Sequence, residues 1–523
     1  DDYAPGPGSL GDCSSEGEGE GQALPRVPEL LSIAGDTFIM GNSGVPEDAG
    51  YGQPNEFPAH SVTLSSYSIG KFEVTNAEFA SVLNWANAPA RAYLRNEAGE
   101  PWTGIGNIYG GADLKLLIAL SSVECDVVYS GGIFSAKSRS GIPAGTLYSM
   151  AEHPAQNITW YGAVLYCNWL SEALGRTPVY DTSTWEADFS SNGYRLPTEA
   201  EWERAAAWDG SKHWVFGTTS DSLSGASDAN YNVSLTEVLL ANPLGLDTAP
   251  YTVPVGWYNG LNTNPNGGAL AHIGVSPVGA FGMAGNVWEW CHDWYGEDYY
   301  AVSPSVDPVG PSSGERRILR GGSWDFNSGY TRTAYRNWYD APGDAYNGNG
   351  FRVAVRRDYR QDMREFVVRI SAQARGVNAD FIVIPQNGQE LLTKNGEADG
   401  PLAAEYAAAI DGQGREDLFY GYESDNVPTS AAARDYLLSF LQRDEAEGVQ
   451  VLVTAPATAM APPSQAYCKA LAAKVRTIDR GAAPQGDLGR ALSQCDGAGP
   501  YDQPVMVLEQ ELTNAKVPLP ARS

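Results

Sequence analysis

The sequence predicts an α+β fold with long ordered loops, followed by a smaller α/β unit, and three observations carry that expectation. Gly 58 and Pro 33, set among 14 Trp, 28 Tyr and 14 Phe, describe loops braced by rings rather than a helical bundle. From Leu31 onward, short strands and short capped helices follow one another without a shared period. After Arg357 the texture changes to β-branched runs interleaved with helical segments, the pattern of parallel βαβ units.

Taken in order, residues 1–28 are Gly/Glu/Pro-rich, an N-terminal extension that cannot build a core. Residues 29–357 form the first domain. Within it, Thr75-Asn-Ala-Glu78 reads as a capping box opening a helix, and Thr198-Glu-Ala-Glu201 as another. Thr159 opens a third helix that Gly175 ends. The stretches 85–150 and 210–275 read as long loops, of the kind that carries function or is ordered by ions and aromatic packing. In residues 360–500, Phe366-Val-Val-Arg-Ile370, Phe381-Ile-Val-Ile384 and Val449-Gln-Val-Leu-Val453 read as strands, with helices near 401–410 and 430–442. Residues 501–523 are a C-terminal tail with a Pro-rich end.

Composition narrows the function. The 523 residues carry 34 Lys+Arg against 63 Asp+Glu, a net charge of −29 that repels phosphate backbones and anionic lipid, so no nucleic-acid partner is expected. No run approaches the ~18 apolar residues of a membrane span. The first residues lack the basic and apolar regions of a signal peptide, so we expect an extracellular or cell-surface protein whose signal peptide is already removed. The six cysteines (Cys13, Cys125, Cys167, Cys291, Cys468, Cys495) form no CxxC, and Cys468 and Cys495 either bridge or stay free. Asn157-Ile-Thr159 and Asn232-Val-Ser234 fit the glycosylation sequon.

Seven ordered motifs span residues 29–357. They are Ile33-Ala-Gly-Asp-Thr-Phe-Ile-Met-Gly41, Lys71-Phe-Glu-Val-Thr-Asn-Ala-Glu-Phe79, and His153-Pro154 with Ile158-Thr-Trp-Tyr161. Tyr194-Arg-Leu-Pro-Thr-Glu-Ala-Glu-Trp-Glu203, Gly285-Asn-Val-Trp-Glu-Trp-Cys-His-Asp-Trp294, Leu319-Arg-Gly-Gly-Ser-Trp324 and Gly350-Phe-Arg-Val353 complete the set. Together they resemble the formylglycine-generating enzyme (sulfatase-modifying factor) family, and the resemblance implies its irregular, C-type-lectin-like fold.

Members of that family that oxidise a sulfatase cysteine use two thiols five residues apart, after the Arg-Gly-Gly-Ser motif, to hold monovalent copper. Alignment on Arg332-x-Ala334-x-Arg336 puts Ser328 and Thr333 at those positions. Hydroxyls are hard, weak ligands for Cu(I), so copper is not expected and the oxidase chemistry should be absent. A second branch, an iron sulfoxide synthase, uses three histidines; the five here (His60, His153, His213, His272, His292) show no close metal-binding pair. A third branch is non-catalytic and recognises ligands through the region matching Arg320–Tyr339. Its candidate surface here is Trp324, Arg332, Tyr335, Arg336 and Trp338, residue types favoured at binding hot spots; packing of the final strands is the competing reading.

Calcium is the cofactor that the resemblance implies. One set would be Asn230 and Asp247 side chains with the carbonyls of Tyr231 and Ala249, an oxygen-only set suited to a hard cation. A second would be Glu289 with the carbonyls of Met283, Gly285 and Val287, weakened because Gly282 stands where a side-chain oxygen is usual.

Residues 360–500 resemble the later half of an endo-α-1,4-polygalactosaminidase-type barrel, through Phe381-Ile-Val-Ile-Pro-Gln-Asn-Gly388, Glu390-Leu-Leu392, Ile410-Asp411, Arg415-Glu-Asp-Leu-Phe-Tyr420 and Val449-Gln-Val-Leu-Val-Thr454. A full barrel needs roughly 250 residues, so this one cannot close alone. Glu416 and Asp417 are its weak catalytic candidates, because neighbours on a strand point to opposite faces and two carboxylates must face one sugar bond. The expected function is therefore a non-catalytic extracellular binding or structural protein that self-associates as a surface assembly or filament, with other copies and glycans as partners. The alternatives are a glycan-binding or glycan-hydrolysing secreted protein and a divergent metal-dependent oxidase.

Overall fold

Threonine caps set the three main helices of the first unit. In helix Asn76–Asn87 the Thr75 side chain accepts from the Glu78 amide while the Glu78 carboxylate accepts from the Thr75 amide at 2.8 Å. Helix Glu199–Ala207 repeats the arrangement with Thr198 and Glu201. Helix Trp160–Ala173 starts on Thr159, which accepts from the Gly162 amide at 3.0 Å, and ends ahead of Gly175 in the left-handed region (φ 67).

The computed structural model describes residues 24–234, 236–356, 359–415 and 429–453, and the chain divides into two units, Asp1–Arg357 and Asp358–Ser523. In the first, a four-stranded antiparallel sheet runs in the order Leu30–Ile33, Tyr67–Gly70, Ala354–Arg356, Tyr194–Arg195. The two ends of the unit therefore meet in one sheet. A three-stranded sheet places Trp288–Trp294 between Arg317–Arg320 and Asn349–Gly350. The main core packs Phe79, Leu83, Tyr166, Trp160, Trp290 and Phe351 between the helices and these sheets.

The stretch 85–150 is not a plain loop. It contains three hairpins, Ile108–Gly110 with Lys115–Ile118, Val127–Ser130 with Ile133–Ala136, and Ser138–Gly141 with Thr146–Ser149. Their strands are three or four residues long and mostly lack strict alternation, so periodicity did not announce them. Among its described residues the stretch 210–275 holds no regular element and is tied by isolated bridges such as Asn259↔Ile273 and by side-chain amides, Asn262 Nδ2 donating to the Trp257 carbonyl at 2.7 Å.

What occupies the interior is unusual. Arg320, Arg332, Arg336 and Arg352 are all at most 1 % exposed, and each meets a carboxylate. Arg352 grips Glu289 with two contacts, Nε to Oε2 at 2.5 Å and Nη2 to Oε1 at 2.6 Å. Trp202 Nε1 adds a third donor to Glu289 at 2.7 Å. Arg195 holds Glu201 in the same two-pronged way at 2.6 and 2.7 Å. Removing one member of such a pair leaves a bare buried charge and costs about 3–5 kcal/mol.

In the second unit, Phe366–Ile370 is not a strand. It lies inside a helix, Tyr359–Val377. Arg364, Val367 and Ser371 are buried on one face while Met363, Phe366 and Ile370 stay exposed; the 3.6-residue period of the flanking residues overrides the β-branched run. Helices Ala404–Ala409 and Ala431–Ala446 stand where helical segments are expected. Strands Gly412–Arg415 and Gln450–Val453 pair in parallel. Phe381–Ile384 forms no assigned strand, but the chain just beyond it joins the same sheet through a parallel bridge from Gln386 to Gly414. The described residues contain no closed barrel.

Asp444, on helix Ala431–Ala446, is fully buried, and neither carboxylate oxygen has a partner among the described residues. Burial pushes its carboxyl up to about 8. The folded state thus keeps a proton that the unfolded chain releases near pH 4, so the stability of this unit falls as pH rises from about 4 to 8 and levels off above. Asp444→Asn is expected to flatten that slope, measured as urea midpoints of the full chain across this range with a probe in residues 358–453.

Candidate functional site

The segment from Leu319 to Asp340 leaves the three-stranded sheet through Gly321 and Gly322, both left-handed (φ 90 and 75). A Cβ on Gly322 would sit 2.6 Å from Thr331 Cγ2, so the close approach of these two backbones requires glycine. Asn327 caps a single 3₁₀ turn, Ser328–Tyr330, by accepting from the Gly329 amide at 3.0 Å. A bridge from Phe216 to Arg332 and another from Leu319 to Asn337 then fasten the segment on both sides.

Thr333 is fully buried and serves as a fastener. Its amide donates to the Val215 carbonyl at 2.8 Å and its hydroxyl to the Trp214 carbonyl at 2.7 Å. Ser328 is half-buried, and its carbonyl accepts from the amide and hydroxyl of Thr331, each at 3.1 Å. Cys125, Cys167 and Cys291 are free and buried elsewhere; burial pushes the Cys125 thiol up to about 11 and the other two further in the same direction. Cys13, Cys468 and Cys495 lie outside the described residues.

The five residues of the expected ligand surface do not share one environment. Arg332 points inward, with Nη1 on Asp48 at 2.5 Å, Nη2 on Glu56 at 2.6 Å and further bonds to the Tyr51 and Gly329 carbonyls. Arg336 holds Glu199 at 2.7 and 2.9 Å and donates to the Asn55 and Gly296 carbonyls. Arg320 beneath them pairs with Glu203 and donates to the Thr333 carbonyl at 2.6 Å. Burial opposes ionisation of Glu203, yet Arg320 and His213 beside it hold its carboxyl down at about 2.

Trp324 and Tyr335 are also buried, Trp324 against the edge of Tyr251 and Tyr335 against Tyr330 and Trp288. Trp338 alone of the five is exposed, at 37 %. It stacks on Tyr339 at 4.5 Å and on Tyr295 at 5.8 Å, and Tyr339 is 56 % exposed. Arg316 secures this edge by donating to the carbonyls of Trp338 and Tyr339 at 3.2 and 2.7 Å. Half-buried Tyr295 and exposed Tyr339 are residues that the motif reading did not single out. The Trp338-Tyr339 doublet was visible in the sequence; the arrival of Tyr295 from 43 positions earlier was not.

The calcium sets fare unequally. In the second, Glu289 already has both oxygens engaged by Arg352 and Trp202, so its carboxylate is neutralised by a protein cation and the set does not suit a metal. In the first, the Ala249 carbonyl accepts from Arg139 Nη1 at 2.7 Å and the Tyr231 carbonyl from the Ala241 amide at 3.2 Å. Asp247 is exposed, and Asn230 Oδ1 is buried without a partner. The histidines are engaged separately: His153 with Thr252 at 2.9 Å, His213 with Glu203 at 3.0 Å, His272 with Asp228 at 2.6 Å and His60 with the Pro58 carbonyl at 3.0 Å. Burial drives His153 down to about 3 and His292 down as well. Glu416 and Asp417 lie outside the described residues, immediately after strand Gly412–Arg415.

Comparison with known proteins places this geometry. The family model of the sulfatase-modifying factor enzyme 1-like domain matches residues 16–357. Formylglycine-generating enzyme of Streptomyces coelicolor is 29 % identical over 360 residues, covering 64 % of this chain and 91 % of that protein. Serine/threonine-protein kinase pkn1 of Chlamydia caviae is 28 % identical over 336 residues, and there the match covers 63 % of this chain but only 38 % of the relative. Among solved structures, Treponema denticola variable protein 1 is similar at 22 % identity and a TM-score of 0.39, covering 63 % of this chain and 95 % of that one. The chain belongs to the sulfatase-modifying factor enzyme 1-like domain family.

Proposed function

We propose that this chain is a non-catalytic binding or structural protein of the extracellular space that uses the family scaffold to present a recognition surface and associates with copies of itself. The observation that carries this reading is the state of Ser328 and Thr333. A copper thiolate site needs two soft sulfurs at those positions; here one is a hydroxyl bonded to the Trp214 carbonyl and the other a serine on a capped 3₁₀ turn. The arginines around them are spent on internal carboxylates, which leaves the stacked rings of Tyr295, Trp338 and Tyr339 as the feature offered outward. Rigid exposed rings supply contact area at low entropic cost. They also suit the apolar faces of sugar rings, so a glycan partner is the reading's second form.

Two measurements bear on this. The purified chain, supplied with monovalent copper and dioxygen, is expected to leave the cysteine of a sulfatase peptide unchanged by mass spectrometry; an aldehyde product would overturn the non-catalytic reading. In sedimentation velocity, the full chain is expected to form concentration-dependent oligomers, and the Trp338→Ala/Tyr339→Ala variant to shift towards monomer. A monodisperse monomer at every concentration would remove self-association from the account.

A further inference from the structure

Apart from the Leu319–Asp340 segment, one cleft of the first unit has the size of a small-molecule site. It offers about 340 Å³, within the ~300–1,000 Å³ of typical ligand pockets. Distant stretches of the chain supply its walls: Leu64–Ser66, which joins strand His60–Leu64 to strand Tyr67–Gly70, the loop Asp307–Val309, Phe189 with Ser190, and Arg356. The buried residues Arg195 and Glu201 line its inner end. The motif reading singled out neither Asp307 nor Arg356.

Charge within the cleft is balanced, and the balance selects the ligand. Arg195 and Glu201 neutralise each other through two contacts at 2.6 and 2.7 Å. Asp307 and Arg356 are both exposed. Asp307, in the left-handed region (φ 42), accepts from the amide and the hydroxyl of Ser65, each at 2.7 Å and one on each carboxylate oxygen. Those bonds fix the carboxylate and leave each oxygen able to accept again. Arg356 donates through Nη1 to the Ser190 carbonyl at 3.1 Å, and among the described residues its guanidinium makes no other hydrogen bond or ion pair. Asp188, whose carboxyl is held below its ordinary range by Ser190 and more weakly by Arg356, adds negative charge on that side. An anion drawn to Arg356 therefore meets Asp188 and Asp307, and a cation drawn to Asp307 meets Arg356. A neutral ligand whose groups both donate and accept satisfies both sides.

Hydroxyl groups have that property, and a sugar ring carries several of them around an apolar C–H face. Phe189 supplies the matching surface: half-buried, its ring is anchored by the Arg195 guanidinium at 5.0 Å and the His292 ring at 4.9 Å. Leu64 and Pro308 add buried apolar wall. We propose that the cleft binds one neutral sugar residue, with Asp307 accepting from one hydroxyl, Arg356 donating to another and Phe189 against the apolar face. The site is distinct from the rim of Tyr295, Trp338 and Tyr339, and it does not rest on the role given to those rings.

The test is saturation-transfer difference NMR of the full chain with the methyl pyranosides of glucose, galactose and mannose, and with N-acetylglucosamine. Glucuronate and glucosamine serve as charged counterparts. Saturable binding of at least one neutral sugar is expected, tighter than that of either charged one. Arg356→Ala and Asp307→Asn should each weaken it by about tenfold, the loss of one charge-assisted hydrogen bond. Asn tolerates the left-handed backbone at 307, Arg356 is exposed, and circular dichroism checks that both variants fold. Saturation by none of the neutral sugars, tighter binding of glucuronate or glucosamine than of every neutral sugar, or wild-type affinity in both variants would overturn the site.

Discussion

A buried guanidinium needs its charge and donors matched. In the first unit of this protein five of them are matched by carboxylates, while Arg317 lies between Trp160 and Trp294 and donates to the His292 carbonyl. Arg195, Arg320, Arg332, Arg336 and Arg352 are taken out of water and matched by Glu201, Glu203, Glu56 with Asp48, Glu199 and Glu289. Arg195 and Glu201 are six residues apart, but the other pairs cross long sequence distances, 276 residues between Arg332 and Glu56 and 137 between Arg336 and Glu199. They tie helix Glu199–Ala207 and the strands bearing Glu289 and Arg320 to the irregular segment that carries Arg332 and Arg336. An unpaired member would cost more than most single contacts in the unit return, so these pairs fix one arrangement of loops that hydrophobic packing alone would leave degenerate.

That constraint explains the character of the site. Where a catalytic member of the family would offer thiols, this chain has a threonine bonded to backbone and a serine on a turn. The adjacent arginines face inward to complete the network rather than outward to bind. The proposed recognition surface is the rim of the segment, where Tyr295, Trp338 and Tyr339 stack.

Much of this was legible in the residues. The three threonine caps were read correctly because a cap is local: its donor and acceptor sit three positions apart. The parallel pairing in the second unit agrees with the strand–helix alternation, but only Gln450–Val453 of its two strands lay in a run read as a strand, and Gly412–Arg415 did not. The strand expected at Phe366–Ile370 failed because β-branched content was weighed above the helical spacing of Arg364, Val367 and Ser371. The inward turn of Arg332 and Arg336 was invisible for a different reason. An arginine beside aromatic residues has the same composition whether it is a binding residue or a buried counter-ion, and only the distant position of its carboxylate distinguishes the two.

The central claim is that residues 331–337 are held as core, not as a mobile recognition loop. Native-state hydrogen exchange of the full chain addresses it directly. The account predicts that the amides of Thr333 and Asn337, which donate to the carbonyls of Val215 and Leu319, exchange as slowly as those of helix Trp160–Ala173. Exchange of these amides on the timescale of an unstructured loop would contradict it.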